Sequence, residues 1–165
     1  MALNIVTMKR FIYIISIFAA LAAFAGCEKS DIKIDLAVDP ELVGEWMLTE
    51  TVADGCVISD IPSIYLSINA DGTFELYQKS GTQSVRYDKF TGTCSTSDGL
   101  LKGVYSTGQP WASAWEYSFT QTGMLLQSFN LLEIDLYDRV EIPEDVRKNA
   151  NEITAKSACD AAPIL

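Results

Sequence analysis

The chain has 165 residues, with 12 basic and 22 acidic side chains, a net charge of −10 and no histidine. That length supports one domain with a real core. The acidity sets nucleic acids and anionic lipid surfaces against it by repulsion, and the missing imidazole removes the commonest general base, zinc ligand and pH switch.

The chain opens with a leader pattern. Met8-Lys9-Arg10 is a short basic segment, Phe11 to Ala25 is an apolar run of 15 residues, and Gly26-Cys27 closes it. Base, apolar run and small residues in that order form a secretory signal peptide. Ala25-Gly26-Cys27 resembles the lipobox of exported bacterial lipoproteins, with Phe24 where leucine is usual. The resemblance implies a signal peptide at residues 1–26, cleavage before Cys27 and lipidation of Cys27. The run falls short of the ~20 apolar residues that span a bilayer, which places an uncleaved anchor second. Two or three acyl chains hold a protein on a membrane stably, where one alone is marginal. Cleavage removes Lys9 and Arg10 and leaves ten basic residues against 22 acidic ones, a charge of −12.

Residues 27–42 read as a tether, charged and without aromatics up to Pro40. Glu28 is not the aspartate that retains lipoproteins on the inner membrane of enteric bacteria, and Glu28-Lys29-Ser30-Asp31 is similar to the export tags of Bacteroidetes surface lipoproteins. These resemblances imply a cell-envelope protein lipid-anchored to the outer membrane, on its periplasmic face or the cell surface.

Residues 43–141 carry short β-runs split by turn residues. The runs are Glu45 to Val52, Ser63 to Asn69, Thr73 to Lys79, Arg86 to Cys94, Leu100 to Ser106, Ala112 to Thr120, Met124 to Asn130 and Glu133 to Val140. Asn69-Ala70-Asp71-Gly72 is a hairpin turn. Ser97-Asp98-Gly99 and Thr122-Gly123 are turns as well. In the last run Ile134 and Leu136 share one face and Glu133 and Asp135 the other; acids on a barrel surface are expected to be solvated. Eight runs with local turns predict an all-β, eight-stranded antiparallel meander that closes into a barrel. Residues 142–165 hold a short helix and a tail. Pro143-Glu144-Asp145-Val146-Arg147-Lys148 has proline early, acids next and bases last, which suits a helix and its dipole.

Gly44-Glu45-Trp46 resembles the Gly-x-Trp signature of lipocalins. Asn69 to Phe74, Tyr87 to Gly92 and Leu101 to Tyr105 resemble the small lipocalin-like lipoproteins of Bacteroidetes; the Thr-Asp-Tyr motif of true lipocalins is absent. The resemblance implies a calycin barrel in which Trp46 plugs the closed end. It also implies a cation–π contact with Arg139, worth ~0.5–1 kcal/mol.

Cys27 aside, three cysteines remain. In a meander Cys56 and Cys94 lie at opposite ends, ~23 Å apart along a strand, beyond the ~7 Å Cα limit of a disulfide. The chain leaves the barrel at the end where Cys94 lies. That favours a Cys94–Cys159 bond, which also resembles the tail-to-barrel disulfide of some lipocalins; three unpaired thiols are the alternative. No Cys-x-x-Cys spacing points to a metal, and no cofactor or metal is expected.

An eight-stranded barrel is just wide enough to be filled by its own side chains or to hold one small ligand. The expected lining is Leu48, Ile64, Leu66, Phe74, Leu76, Trp115, Tyr117 and Phe119. This reading gives a non-catalytic binding module for a small hydrophobic or amphipathic ligand. The alternative is a structural lipoprotein with a filled barrel that docks to an envelope protein or surface glycan, using Trp111 if exposed. Catalysis by a Glu133/Asp135 pair ranks last, with no histidine and no motif to support it.

Overall fold

The computed structural model describes residues 37–79, 83–129, 132–154 and 163–165. The expected signal peptide, Cys27 and Cys159 lie outside the described residues. Among the described residues the strands are β1 (Gly44–Ala53), β2 (Cys56–Ile58), β3 (Ile64–Ile68), β4 (Thr73–Lys79), β5 (Tyr87–Ser97), β6 (Leu100–Tyr105), β7 (Trp115–Phe119), β8 (Gly123–Ser128), β9 (Glu133–Arg139) and β10 (Asn151–Glu152), with one helix, α1 (Glu144–Asn149), before β10.

The fold is an all-β closed barrel of eight antiparallel strands, in the order β1-β3-β4-β5-β6-β7-β8-β9 and back to β1. Each expected run forms one barrel strand. The local turns make this path natural. At the β3–β4 turn, for example, the Gly72 amide donates to the Asn69 carbonyl at 3.0 Å and the Thr73 amide to Asp71 Oδ1 at 2.9 Å. Two short strands lie off the barrel path. β2 folds back on the end of β1 as a hairpin. β10 pairs in parallel with Asp88 and Lys89 of β5.

Strand alternation sends one side of every strand inward. Trp46, Leu48, Ile64, Leu66, Ile68, Phe74, Leu76, Phe90, Cys94, Leu101, Tyr105, Trp115, Met124, Leu126 and Tyr137 thereby form one buried cluster. β1 breaks the rule once. Leu48 pairs with Tyr137, but Glu50 pairs with Leu136, so Thr49 is an extra, exposed residue. Such a bulge shifts the side-chain parity of all that follows. Thr51 therefore points inward and is buried, while Glu50 does not share its face.

One end of the barrel is sealed by the segment before β1. Leu42 is fully buried beneath Trp46, whose indole N–H donates to the Leu42 carbonyl at 2.9 Å. The Thr96 amide donates to the Ala37 carbonyl at 3.0 Å, and the Asp39 amide to Thr96 Oγ1 at 3.0 Å. Residues 37–42 thus belong to the barrel and not to the tether. The absence of aromatics hid this, because the segment is held by backbone hydrogen bonds and one leucine. Arg139 stacks on Trp46 with 4.2 Å from its guanidinium carbon to the ring centroid. Its two terminal nitrogens donate to the carbonyls of Val43 and Glu41 at 3.1 and 3.0 Å.

Helix α1 lies on the outside of the wall. It buries Val146 with Tyr77 and Ile142, worth ~1.5–3 kcal/mol. Arg147 reaches Glu45 at 2.6 Å and Glu75 at 3.3 Å. After β10, the Ile153 amide donates to the Lys89 carbonyl at 2.9 Å and its side chain joins the barrel core.

Gly44 has a φ of +149°, and a Cβ there would overlap the Arg139 guanidinium. Gly44→Ala is expected to unseat the Arg139–Trp46 stack and to cost ~1–3 kcal/mol through backbone strain. The urea midpoint should fall with an unchanged m-value; an unchanged midpoint would show that the stack tolerates a side chain at residue 44.

Candidate functional site

Leu48, Ile64, Leu66, Phe74, Leu76 and Trp115 all lie in the buried interior; Tyr117 and Phe119 are partly buried and pack against it. Tyr117 and Phe119 belong to the sealed half. The Tyr117 hydroxyl donates to Asp39 Oδ2 at 3.1 Å, and Phe119 borders a surface cleft of about 310 Å³ beside Trp46 and Arg139. The eight expected residues therefore line the inside of the barrel without gathering at one site.

The polar chemistry sits elsewhere, toward the open end, and centres on the Glu133/Asp135 pair that ranked last among the candidates. On β9 the inward residues are Glu133, Asp135 and Tyr137, while Ile134 and Leu136 are only half-buried. The expectation of solvated acids is corrected: Asp135 is 0 % exposed. Leu126 on β8 and Thr51 on β1 are its cross-strand partners. The alternation expected of this strand is present, with the acidic face turned inward. Ile and Leu looked like the core face, yet Tyr137 continues the acidic face into the barrel.

Thr51 donates its hydroxyl to Asp135 Oδ1 at 2.7 Å. Asp135 Oδ2 has no hydrogen-bond partner among the described residues. Neither do the Tyr137 hydroxyl and the indole nitrogens of Trp111 and Trp115, all of them buried. Burial pushes the Asp135 carboxyl up to about 7; Thr51 opposes this and the neighbouring Glu133 charge adds to it. Burial raises Glu133 as well. It raises Tyr137 well above the usual phenol range, assisted by the charges of Asp135, Glu133 and Tyr105.

Trp111 is 5 % exposed, so the loop after Pro110 does not offer it for stacking on sugars. It lies flat on Gly103, where a Cβ would overlap its ring, and meets Phe74 edge-on with centroids 5.0 Å apart. The loop is folded inward by the Trp111 amide, which donates to the Gly103 carbonyl at 2.9 Å. Residues 163–165 reach the same end. The Leu165 side chain is buried in the core cluster, its carbonyl accepts from the Tyr105 hydroxyl at 2.9 Å, and the Ile164 amide donates to Gln78 Oε1 at 3.0 Å.

Among the described residues Cys56 and Cys94 are free thiols, the first exposed and the second buried. The expected Cys94–Cys159 bond is therefore not formed in this structure, and Cys159 itself lies outside the described residues. Cys94 points into the core from the sealed half of β5, whereas residues 163–165 sit against Gln78 and Tyr105 at the open end.

No family model matches the chain, and no curated protein matches it. Among solved structures, an uncharacterized protein from Bacteroides eggerthii is 16 % identical with a TM-score of 0.43, over 59 % of this chain and 98 % of that one. A lipoprotein YedD from Klebsiella pneumoniae is 14 % identical with a TM-score of 0.44, over 70 % of this chain and 86 % of that one. Both are too distant to bear on function.

Two outcomes follow. The Asp135 carboxyl is raised from 3.8 to about 7 on folding. Between those values the native state holds a proton that the unfolded state has lost, so stability falls as pH rises through the window and levels off above it. Asp135→Asn should make that slope shallower, leaving the part that Glu133 contributes, and be the more stable form at pH 8, by up to ~4 kcal/mol. Urea unfolding at pH 5 and pH 8 checks this; parallel changes in both proteins would refute it. Burial also pushes the Cys94 thiol up to about 12. Thiolate is the reactive form, so maleimide followed by mass mapping should label Cys56 in the native protein and Cys94 only in denaturant.

Proposed function

We propose that this chain is a non-catalytic binding module, held at the outer membrane by a lipid on Cys27, whose barrel takes one small amphipathic ligand. One observation carries the reading. Four polar atoms buried inside the barrel lack a partner among the described residues, on Trp111, Trp115, Asp135 and Tyr137. Roughly nine in ten buried polar groups in native proteins are satisfied. Each exception costs ~1–3 kcal/mol, which a ligand with matching groups would recover. The apolar remainder of the wall, from Leu66 to Leu126, suits the other part of an amphipathic molecule. A ligand passing through the open end would take the place of Ile164 and Leu165 there.

A second reading, a docking lipoprotein with a filled barrel, draws on a different observation. Val57, Phe129 and Leu132 are 61 %, 67 % and 74 % exposed on the loops and hairpin of the open end. An apolar rim of this kind suits a protein partner. The burial of Trp111 takes away the aromatic platform for a glycan.

Native mass spectrometry of the protein purified from its own cells separates the two. The binding reading expects a non-covalent small-molecule adduct that is lost on denaturation. A clean apo mass under gentle conditions, repeated across growth conditions, would leave the docking reading standing.

A further inference from the structure

We infer that the ligand is a small protonated amine carrying a second, uncharged acceptor group, and that its ammonium is bound by Asp135 inside the barrel. This deepens the binding reading and rests on it. Asp135 Oδ1 is already engaged by the Thr51 hydroxyl, whereas the buried Oδ2 has no partner among the described residues. In the ionised form, which a bound ammonium would favour, this oxygen can be satisfied only by a donor. Glu133, two residues earlier on the same inward face, adds a second acid.

No described base serves these acids. Arg139 is committed at the sealed end, to Trp46 and two carbonyls. Lys89 and Arg147 pair with Glu75 and Glu45 on the outer wall, Lys148 pairs with Glu144, Lys79 lies over the Tyr87 ring, and Arg86 and Lys102 are exposed to solvent. An anionic amphiphile would therefore meet two carboxylates and no cation. A quaternary ammonium would bring charge but no N–H for Oδ2.

The inward aromatic residues fit the same ligand. Tyr105, Trp115 and Tyr137 project from β6, β7 and β9, and Trp111 folds in from the loop between β6 and β7. Aromatic faces attract ammonium groups, most strongly where water is excluded. The indole N–H groups of Trp111 and Trp115 are donors only. They call for an acceptor on the ligand, and the interior acids exclude a carboxylate in that role.

The test uses the full chain in phosphatidylcholine nanodiscs and three probes that share one ring. Tyramine carries the amine, its alcohol analogue tyrosol is neutral, and 4-hydroxyphenylacetate is the acid; each phenol oxygen can accept from an indole. Calorimetric titration should rank tyramine roughly 10- to 100-fold tighter than tyrosol, the range of a hydrogen bond to a charged group, with the acid weakest. Asp135→Asn should bring tyramine down to the level of tyrosol and leave tyrosol within about twofold. Tyrosol binding as well as or better than tyramine overturns the amine assignment and leaves the binding reading intact. A preserved tyramine preference in Asp135→Asn, or loss of tyrosol binding in that variant, also overturns it. Failure of all three probes to bind overturns the assignment, and with an adduct still present in native mass spectrometry the binding reading survives it.

Discussion

The barrel depends on how β1 closes against β9. Seven residue pairs join the two strands, and their register changes once, at the Thr49 bulge. Ahead of the bulge Trp46 and Leu48 face inward; beyond it Thr51 does. In a regular ladder, with Thr49 opposite Leu136, Glu50 would take the inward place beside Asp135. Two carboxylates would then meet in a dry interior with no base to part them, a costly arrangement. The bulge replaces one of them with a hydroxyl that donates to the other. A local irregularity of one residue thus makes closure compatible with the acidic inner face of β9.

That inner face runs from acid to base. Glu133 and Asp135 lie toward the open end, Tyr137 follows, and Arg139 ends the strand at the seal. Four residues of strand put ~13 Å between the Asp135 and Arg139 positions. The two ends are treated differently. Arg139 is provided with carbonyls and an indole face, so its charge is fully answered. Asp135 is given one hydroxyl, a neighbouring acid in Glu133 and otherwise apolar or aromatic surroundings. The seal is a finished structural joint, while the opposite end keeps unspent hydrogen-bonding capacity on four side chains.

The sequence showed the architecture well. Regular β-runs with strong turn residues need only local pairing, so eight strands and a short helix could be read from alternation and from Asn, Asp and Gly positions. Helix α1 begins at Glu144, directly after the proline that marked it. The candidate site was less legible. Alternation gives the two faces of a strand but not which one is inside. For Glu133 to Tyr137 the apolar pair Ile134 and Leu136 pointed to the wrong answer. The bulge left no mark in composition, since Thr49 and Glu50 are ordinary strand residues. The exposure of Trp111 stayed open, because its burial depends on Gly103 in another element providing a flat surface. The packing of residues 37–42 rests on main-chain hydrogen bonds with only Val38, Asp39 and Leu42 adding side chains, too few to give the segment a strand pattern.

The small strand β10 covers a place where the barrel wall is thin. β6 pairs with β5 only from Gly92 onward, which leaves the first residues of β5 bonded to β4 on one side. Asn151, Glu152 and the Ile153 amide occupy the other side, delivered there by α1. An uncovered run of strand backbone is a template for another chain. The salt bridges of Arg147 to Glu45 and Glu75 therefore do more than dock a helix. By keeping α1 and β10 in place they keep Tyr87 to Lys89 from recruiting a strand of a second molecule, and so guard against edge-to-edge aggregation and strand exchange between copies.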